Sequence, residues 1–518
     1  MTAQIYESDT IAAISTAVSE SGIGIIRVSG PGAIPAADQI FRTKSGRAVL
    51  KEAPTHTIHY GFIEQDGHRI DEVLLSVLRA PRSFTREDTV EINCHGGIYA
   101  MHRVLEAVLA QGVRAAEPGE FTRRAFLNGR IDLSEAEAVM DVIRASSEKA
   151  LSCSMDLLTG RLRRLIEGMR GEILHQAAYI EAALDDPEHY DLDGFEDQLR
   201  PMLADWESRM DRLIRTADHG RQIREGIQTV ILGRPNAGKS SLMNQLLGEE
   251  RAIVTEVEGT TRDTISETIH LGEVSLKIID TAGIRTATDP VEQIGVERAL
   301  QAAGSADLIL YVVDSSAPLD ENDSQILSSI LEIGCPYLIL LNKSDLEAVT
   351  GEGQIEELVR KAGRQADGDA GGCVSEIDGL SVMSAPEDVT KDNAATTLDT
   401  NIQRMNGSVC RGKPCVVAVS ALDGNGMDEL TRRLEEMFAQ GQISYNDEVM
   451  ITHERQKLCL VRAREALGRV QESLDNGMPE DFLTIDMSDC CRELGLITGE
   501  TADEDLIREI FESFCMGK

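Results

Sequence analysis

Residues 233–240 read Gly-Arg-Pro-Asn-Ala-Gly-Lys-Ser, the GxxxxGK[ST] spacing of a phosphate-binding loop. An apolar run at 229–232 precedes it and a helix-like run at 241–247 follows. The residue types suit an anion. Gly233 and Gly238 let the backbone turn tightly, so that several N–H groups face one phosphate. The helix that follows adds the positive end of its dipole, beside Asn236, Ala237 and Ser241. Lys239 brings a point charge for the β- and γ-phosphates, and Ser240 a hydroxyl ligand for Mg2+. A ligand-free strand–helix turn is the competing reading, and the presence of both Lys and Ser weighs against it.

Three later motifs select the nucleotide. Asp280-Thr281-Ala282-Gly283 ends an apolar run at 274–279; its aspartate can hold Mg2+ through water, and the Gly283 N–H can sense a γ-phosphate. Asn342-Lys343-Ser344-Asp345 ends the run at 337–341. One carboxylate such as Asp345 accepts both neighbouring donors of guanine, which adenine lacks. Ser420-Ala421-Leu422 follows the run at 416–419 and can offer a backbone N–H to the guanine O6. Each motif alone is weak. In order, each at the C-terminal end of a strand-like run, they describe an open α/β sheet that binds GTP at that edge.

Between the first two motifs lies a switch-like segment containing Thr255, Glu256, Val257, Glu258, Gly259, Thr260 and Thr261. Thr261 is placed to give a second Mg2+ ligand, so the order of this loop would follow the γ-phosphate. Asn236 can donate a carbonyl oxygen to a monovalent cation. Ile284 stands where small GTPases place a water-orienting glutamine. An aliphatic chain cannot hydrogen-bond a water, so either hydrolysis is very slow or another group supplies the contact. Glu292 is the nearby acidic candidate, although spacing alone favours an ordinary carboxylate at a helix start.

These motifs need elements to carry them. The chain has 518 residues, enough for two to four domains. With 88 acidic and 51 basic residues its net charge is −37, which argues against the whole surface being a nucleic-acid footprint. A local basic patch around Arg123, Arg124 and Arg130 is still compatible with that balance. No run approaches the roughly 20 apolar residues of a spanning helix, and the first residues lack a secretory pattern; the expectation is a cytoplasmic protein with no membrane partner. The ten cysteines include no zinc-type CxxC pair, so free thiols are expected.

Residues 1–120 read as mixed α/β, with strand-like runs at 23–28, 73–78 and 89–93 and a helix at 98–110. Residues 132–225 show helical periodicity, including Leu133, Ala136, Val139, Met140 and Ile143, with a break near Pro187. Trp206 suits a core. Leu460, Ala463, Leu467, Val470 and Leu474 step by three and four along another helix. Helices thus flank the nucleotide domain on both sides, as expected of one helical domain with a second inserted into it. The segment 351–414 is rich in Gly, Asp, Glu, Ser and Thr and reads as a partly disordered surface insertion.

With these motifs in hand, the chain resembles the MnmE (TrmE) family of tRNA-modification GTPases. The resemblance rests on Gly24-Ile25-Ile26-Arg27-Val28-Ser29-Gly30, His95-Gly96-Gly97, Pro118-Gly119-Glu120-Phe121-Thr122, residues 124–130, the phosphate loop, Gly259-Thr260-Thr261-Arg262-Asp263, and the terminal Cys515-Met516-Gly517-Lys518. It implies a multidomain α/β plus all-α fold. Residues 1–128 would be an α/β tetrahydrofolate-binding and dimerisation domain, and 129–225 and 436–518 the two parts of a discontinuous helical domain. Residues 226–435 would be the inserted P-loop GTPase domain with a mostly parallel sheet. It implies K+ held by Asn236, Thr255, Val257 and Thr260 in place of an arginine finger, and Glu292 as the catalytic water-orienting residue. Arg27, Glu91, Arg130 and Lys518 would bind a tetrahydrofolate one-carbon derivative, with Cys515 beside it. The partners implied are a second copy of the chain, an FAD-binding MnmG (GidA)-type protein and tRNA. The product implied is an aminomethyl-type (carboxymethylaminomethyl) group on C5 of the wobble uridine, position 34. Met516 replaces the family's usual isoleucine, and 351–414 has no counterpart in the pattern. A ribosome-assembly GTPase is the alternative, but 445–518 carries no GXXG-centred or basic RNA-binding module.

Overall fold

The computed structural model describes residues 9–190, 192–248, 267–272, 274–279, 300–304, 306–368, 415–438, 449–502, 504–512, 514 and 517. They divide into two compact units. One comprises Met1–Ala145, Leu151–Ala217 and Val449–Lys518; the other Ser146–Ala150 and Asp218–Glu448.

The first unit begins with a seven-stranded sheet. Its strands are β1 (Ile11–Ile14), β2 (Ser21–Ser29), β3 (Phe41–Thr43), β4 (Thr57–Gln65), β5 (His68–Leu78), β6 (Thr89–Gly96) and β7 (Arg114–Ala115), in the order β3-β4-β5-β6-β2-β1-β7. Period-two alternation sorts its side chains. On β5, Val73, Leu75 and Val77 are buried. They share a core with Ile34 and Ile40 of α1 (Ala33–Ile40) and Met101 and Val104 of α2 (Ile98–Leu109). The opposite face stays open. Tyr60 pairs with Leu74, and Ile58 with Ser76, which in turn opposes Glu91. On that face Ile58, Tyr60 and Leu74 are 68%, 47% and 49% exposed. The expected strands and the 98–110 helix are thus present, each within a few residues of its sequence run.

Helix α3 (Glu120–Leu127) leads to α4 (Leu133–Arg144) and then α5 (Glu148–Leu158), α6 (Arg161–Asp185) and α7 (Phe195–Glu225). α6 ends where the break near Pro187 was expected. After 448 the chain returns through α12 (Glu454–Asp475), α13 (Glu480–Thr498) and α14 (Glu504–Glu512). Ile166, Met169, Ile173 and Ile180 of α6, Leu203 and Met210 of α7, and Leu460, Ala463, Leu467 and Val470 of α12 fall in one core. The i, i+3, i+4 spacing on each helix places these residues on a single stripe. Trp206 lies in that core, 1% exposed, and its indole N–H donates to Glu172 at 2.8 Å. Leu133, Ala136 and Met140 are buried, but Ile143 is 45% exposed, because the apolar stripe of α4 ends before its last turn.

A buried polar cluster joins the two stretches of the helical region. Arg455 meets Glu137 through two bonds of 3.0 Å, Gln456 donates to the same carboxylate at 2.7 Å, and His453 lies 2.9 Å from Asp141. The basic patch considered around Arg123 and Arg124 does not form. Arg124 is 8% exposed and bonded to Asp9, Glu87 and Glu120, while Arg123 pairs with Glu117. An arginine this close to the sheet is desolvated, and carboxylates recruited to it cancel its charge.

The second unit holds a six-stranded sheet of order β13-β12-β11-β8-β10-β9. The strands are β8 (Ile227–Leu232), β9 (Glu267–Leu271), β10 (Val274–Ile278), β11 (Leu308–Asp314), β12 (Tyr337–Asn342) and β13 (Val416–Ala418). All neighbours are parallel except β9 on β10. Near-continuous burial of β8, β11 and β12 matches a sheet with core on both faces. Helices α8 (Lys239–Gly248), α9 (Glu321–Ile333), α10 (Glu352–Gly368) and α11 (Met427–Phe438) accompany it. The stretch 351–414 is therefore not all insertion. Its first part is α10, whose Ile355 and Ala362 are 0% and 2% exposed in the core of this unit. Residues 369–414 lie outside the described residues. Among the described residues no helix is long and apolar enough to cross a membrane.

Candidate functional site

The phosphate loop joins β8 to α8, as its sequence setting requires. Its backbone is unusual at three positions, with φ of 153° at Gly233, 63° at Asn236 and 93° at Gly238. A side chain at Gly233 would meet the Val312 carbonyl oxygen at 2.4 Å, and one at Gly238 the Asn342 side-chain nitrogen at 2.1 Å. Glycine is required at both by conformation and by space. The Lys239 ammonium donates to the Gly233 and Arg234 carbonyls at 2.8 and 2.7 Å, folded over the loop it would serve. Ser240 follows in the first turn of α8.

At the other end of the site, Asn342 closes β12 and is 1% exposed. Its amide donates to the Ala237 carbonyl at 2.8 Å and accepts the Ala421 N–H at 3.0 Å. One buried side chain thus links the phosphate loop to the Ser420-Ala421-Leu422 loop. Asp345 is exposed, and the Ser420 hydroxyl donates to it at 2.7 Å, orienting the carboxylate proposed for guanine. Lys343 has φ 63° and its ammonium lies 2.5 Å from Asp314 at the end of β11. Burial alone would raise the Asp314 pKa, but Lys343 and the Ser316 hydroxyl and N–H hold it below the usual carboxylate range. The Ser344 N–H donates to Val419, and Leu422 is 80% exposed.

The fold therefore gathers Asn236, Ala237, Gly238, Lys239, Ser240, Ser241, Asn342, Lys343, Ser344, Asp345, Ser420, Ala421 and Leu422 at the C-terminal edge of neighbouring strands. Thr255, Glu256, Val257, Glu258, Gly259, Thr260, Thr261, Asp280, Thr281, Ala282, Gly283 and Glu292 lie outside the described residues. The structure adds residues that motif reading missed. Arg234 pairs with Asp320 and Asp323 at 2.8 and 3.1 Å. The visible signal was Asp320 and Asp323, three apart just before an apolar helix run, as in a capping box.

A second cluster sits in the first unit. Arg27 and Glu91 are directly paired in the β2–β6 register and bonded at 2.9–3.0 Å. The Arg27 guanidinium also donates to the Gly517 carbonyl at 3.3 Å, as does the Ser15 hydroxyl at 3.1 Å. Gly517 has φ 83°, and a side chain there would strike the Ile14 carbonyl oxygen at 2.3 Å. Gly517 is thus seated beside Arg27, 490 residues away in sequence. Arg130 donates to the Ser83 carbonyl at 2.8 Å and lies 5.0 Å from the Phe84 ring. Among the described residues no hydrogen bond links it to Arg27 or Glu91. Burial, with nearby Arg86, pushes the Arg130 pKa down. Cys515 and Lys518 lie outside the described residues.

Two family models match the chain in succession. A family model described as "GTP-binding protein TrmE N-terminus" matches residues 10–130, and one described as "MnmE helical domain" matches residues 133–515. A "tRNA modification GTPase MnmE" from Lachnoclostridium phytofermentans is 47% identical over 512 residues, covering 99% of this chain and 100% of that one. Proteins of the same description from Enterococcus faecalis and Geobacillus thermodenitrificans are 42% and 41% identical, over 100% and 99% of this chain and the whole of each relative.

Proposed function

This chain belongs to the MnmE family of tRNA modification GTPases, and on that premise we propose that it is a K+-activated GTPase acting with an FAD-binding MnmG-type partner. Its GTPase-fold unit and its role in tRNA modification follow from the family. The proposal adds the finer chemistry: an aminomethyl-type group is placed on C5 of the wobble uridine, with a tetrahydrofolate derivative supplying one carbon. GTP hydrolysis drives association of two G domains and the conformational change that permits modification. A cytoplasmic location accords with a tRNA substrate.

The observation that carries this reading is the seat of Gly517 against Arg27, beside Glu91. It sets Gly517 beside a guanidinium and a carboxylate, groups complementary to a pterin, which offers both amide and amine edges. Arg130 and Lys518 would complete that site, with Cys515 nearby. The open sheet face bearing Ile58, Tyr60 and Leu74 supports a homodimer through the N-terminal domains, since clustered exposed apolar residues favour association. At the nucleotide, Ser240 with Thr261 would hold Mg2+, and Asn236, Thr255, Val257 and Thr260 would hold K+. Asn236 sits in the phosphate loop at φ 63°, and its side-chain amide oxygen is a hard donor of the type such a cation takes. K+ would supply the positive charge that neutralises the transferring phosphate, and Glu292 would orient the attacking water.

The test is GTP hydrolysis by the purified chain in K+ and in Na+ buffer, with Glu292→Ala alongside, and mass analysis of wobble uridines from a deletion strain. Faster hydrolysis in K+, a strong loss in Glu292→Ala and unmodified wobble uridines are expected. Equal rates in both salts with a harmless Glu292→Ala would overturn the hydrolysis mechanism. Intact wobble modification would overturn the tRNA role.

A further inference from the structure

Arg234 lies inside the phosphate loop, and a guanidinium there could be read as a charge donor to the nucleotide. Its surroundings point elsewhere. The Arg234 side chain is 14% exposed and is divided between two carboxylates, Nη1 with Asp320 and Nε with Asp323. Asp323 is wholly buried. Its Oδ1 also accepts the Tyr311 hydroxyl at 2.8 Å, and its Oδ2 accepts the Asp320 N–H at 3.1 Å. Tyr311 is itself wholly buried on β11 and directly opposes Leu232, the last residue before the loop.

The arrangement has two consequences. First, two carboxylates on one guanidinium leave no surplus positive charge for a phosphate. Second, the loop needs bracing. Asn236 sits at positive φ without being glycine, and such positions cost on the order of 1–3 kcal/mol and persist only when the surroundings hold them. Val312 lies under Gly233, and Asn342 holds Ala237. Arg234 is the third fixed point and the only one of these made by a side chain of the loop itself. Its carbonyl also accepts the Lys239 ammonium, so a shift of this residue moves the partner of the principal phosphate-binding cation.

We propose that Arg234, clamped by Asp320 and Asp323 and backed by Tyr311, is a positioning residue that presets the phosphate loop for the nucleotide diphosphate rather than a ligand of the γ-phosphate. The inference needs only nucleotide binding by the second unit and stands or falls apart from the folate and tRNA readings. Because the loop serves the phosphates that GTP and GDP share, both lose affinity together. Losing a charged, buried bond set weakens binding by about tenfold in Arg234→Ala, and the single hydroxyl removed in Tyr311→Phe by about threefold. Arg234→Lys keeps the charge but cannot fork between two carboxylates, so it behaves nearly as alanine.

The test measures the Kd of fluorescent GTP and GDP analogues, the KM and kcat for GTP, and the melting temperature for these three variants of the full chain. Parallel losses for GTP and GDP, a raised KM and kcat within about twofold of the parent are expected, together with a lowered melting temperature in Arg234→Ala, which strands the buried Asp323 carboxylate. Unchanged affinities in Tyr311→Phe and Arg234→Ala would overturn the proposal. So would a selective loss of GTP affinity with kcat down about 100-fold and rescue by Arg234→Lys, which is the signature of a charge donor. A fall in melting temperature with no KM change would also overturn it, leaving Arg234 purely structural. If Arg234→Ala does not fold, Tyr311→Phe decides by the same readouts, since it removes one oxygen from a core position.

Discussion

Replacing Glu137 by alanine should destabilise the first unit while leaving nucleotide binding by the second intact. Glu137 is 5% exposed and carries two bonds from Arg455, one from Gln456, and the His453 ring at 4.0 Å. Removing it strands the Arg455 guanidinium, whose side chain is 17% exposed. Breaking a buried pair costs about 3–5 kcal/mol. Arg455 keeps its bonds to the Leu496 and Ile497 carbonyls, which places the loss near the lower end. With a urea dependence of about 2–3 kcal/mol per molar, the midpoint should fall by about 1–1.5 M. Trp206 is the only tryptophan of the chain and lies in the helical core, so its fluorescence reports on this unit. Burial alone would raise the Glu137 pKa, but His453 and Arg455 outweigh it and hold the carboxyl below the usual glutamate range. A depressed folded-state pKa stabilises above the ordinary glutamate value and loses that contribution as pH falls through the folded one. The gap between parent and Glu137→Ala should therefore narrow below about pH 4. A Trp206 midpoint moved by less than about 0.3 M at neutral pH would refute the reasoning.

Three further outcomes follow from the same geometry. Asn342→Ala strips partners from the buried Ala237 carbonyl and Ala421 N–H, each worth about 1–3 kcal/mol, so equilibrium binding of both GTP and GDP should weaken at least tenfold, about 1.4 kcal/mol. Gly517→Ala forces a side chain into the Ile14 carbonyl at a left-handed position; calorimetric titration with a tetrahydrofolate derivative should show reduced affinity while GTP hydrolysis by the unbound chain is unaffected. Deleting 369–414 should leave GTP affinity unchanged, whereas deleting 351–414 also removes Ile355 and Ala362 from the core and should lower the melting temperature of the GTPase unit, by an amount equivalent to about 2–5 kcal/mol.

Much of this molecule was legible before any coordinates. The phosphate loop, the guanine motif and their placement at strand ends are local patterns, because glycine conformation and apolar periodicity act over a few residues. The helical stripe of α12 and the strand runs within β2, β5 and β6 were readable for the same reason. The extent of α10 was not, because a polar, amphipathic helix shares the composition of a surface loop until its few apolar residues find a core. The same limit hid the fate of Arg124, whose charge looks free in sequence and is cancelled by Asp9 and Glu87, which the fold brings to it.

What tertiary structure alone decided is which distant groups share a site. Asn342 holds Ala237 across 105 residues, Arg455 meets Glu137 across 318, and Arg27 receives Gly517 across 490. None of these pairs has a sequence period or spacing to announce it. Each exists because a buried polar group must find a partner, and only the packed chain determines which one is within reach.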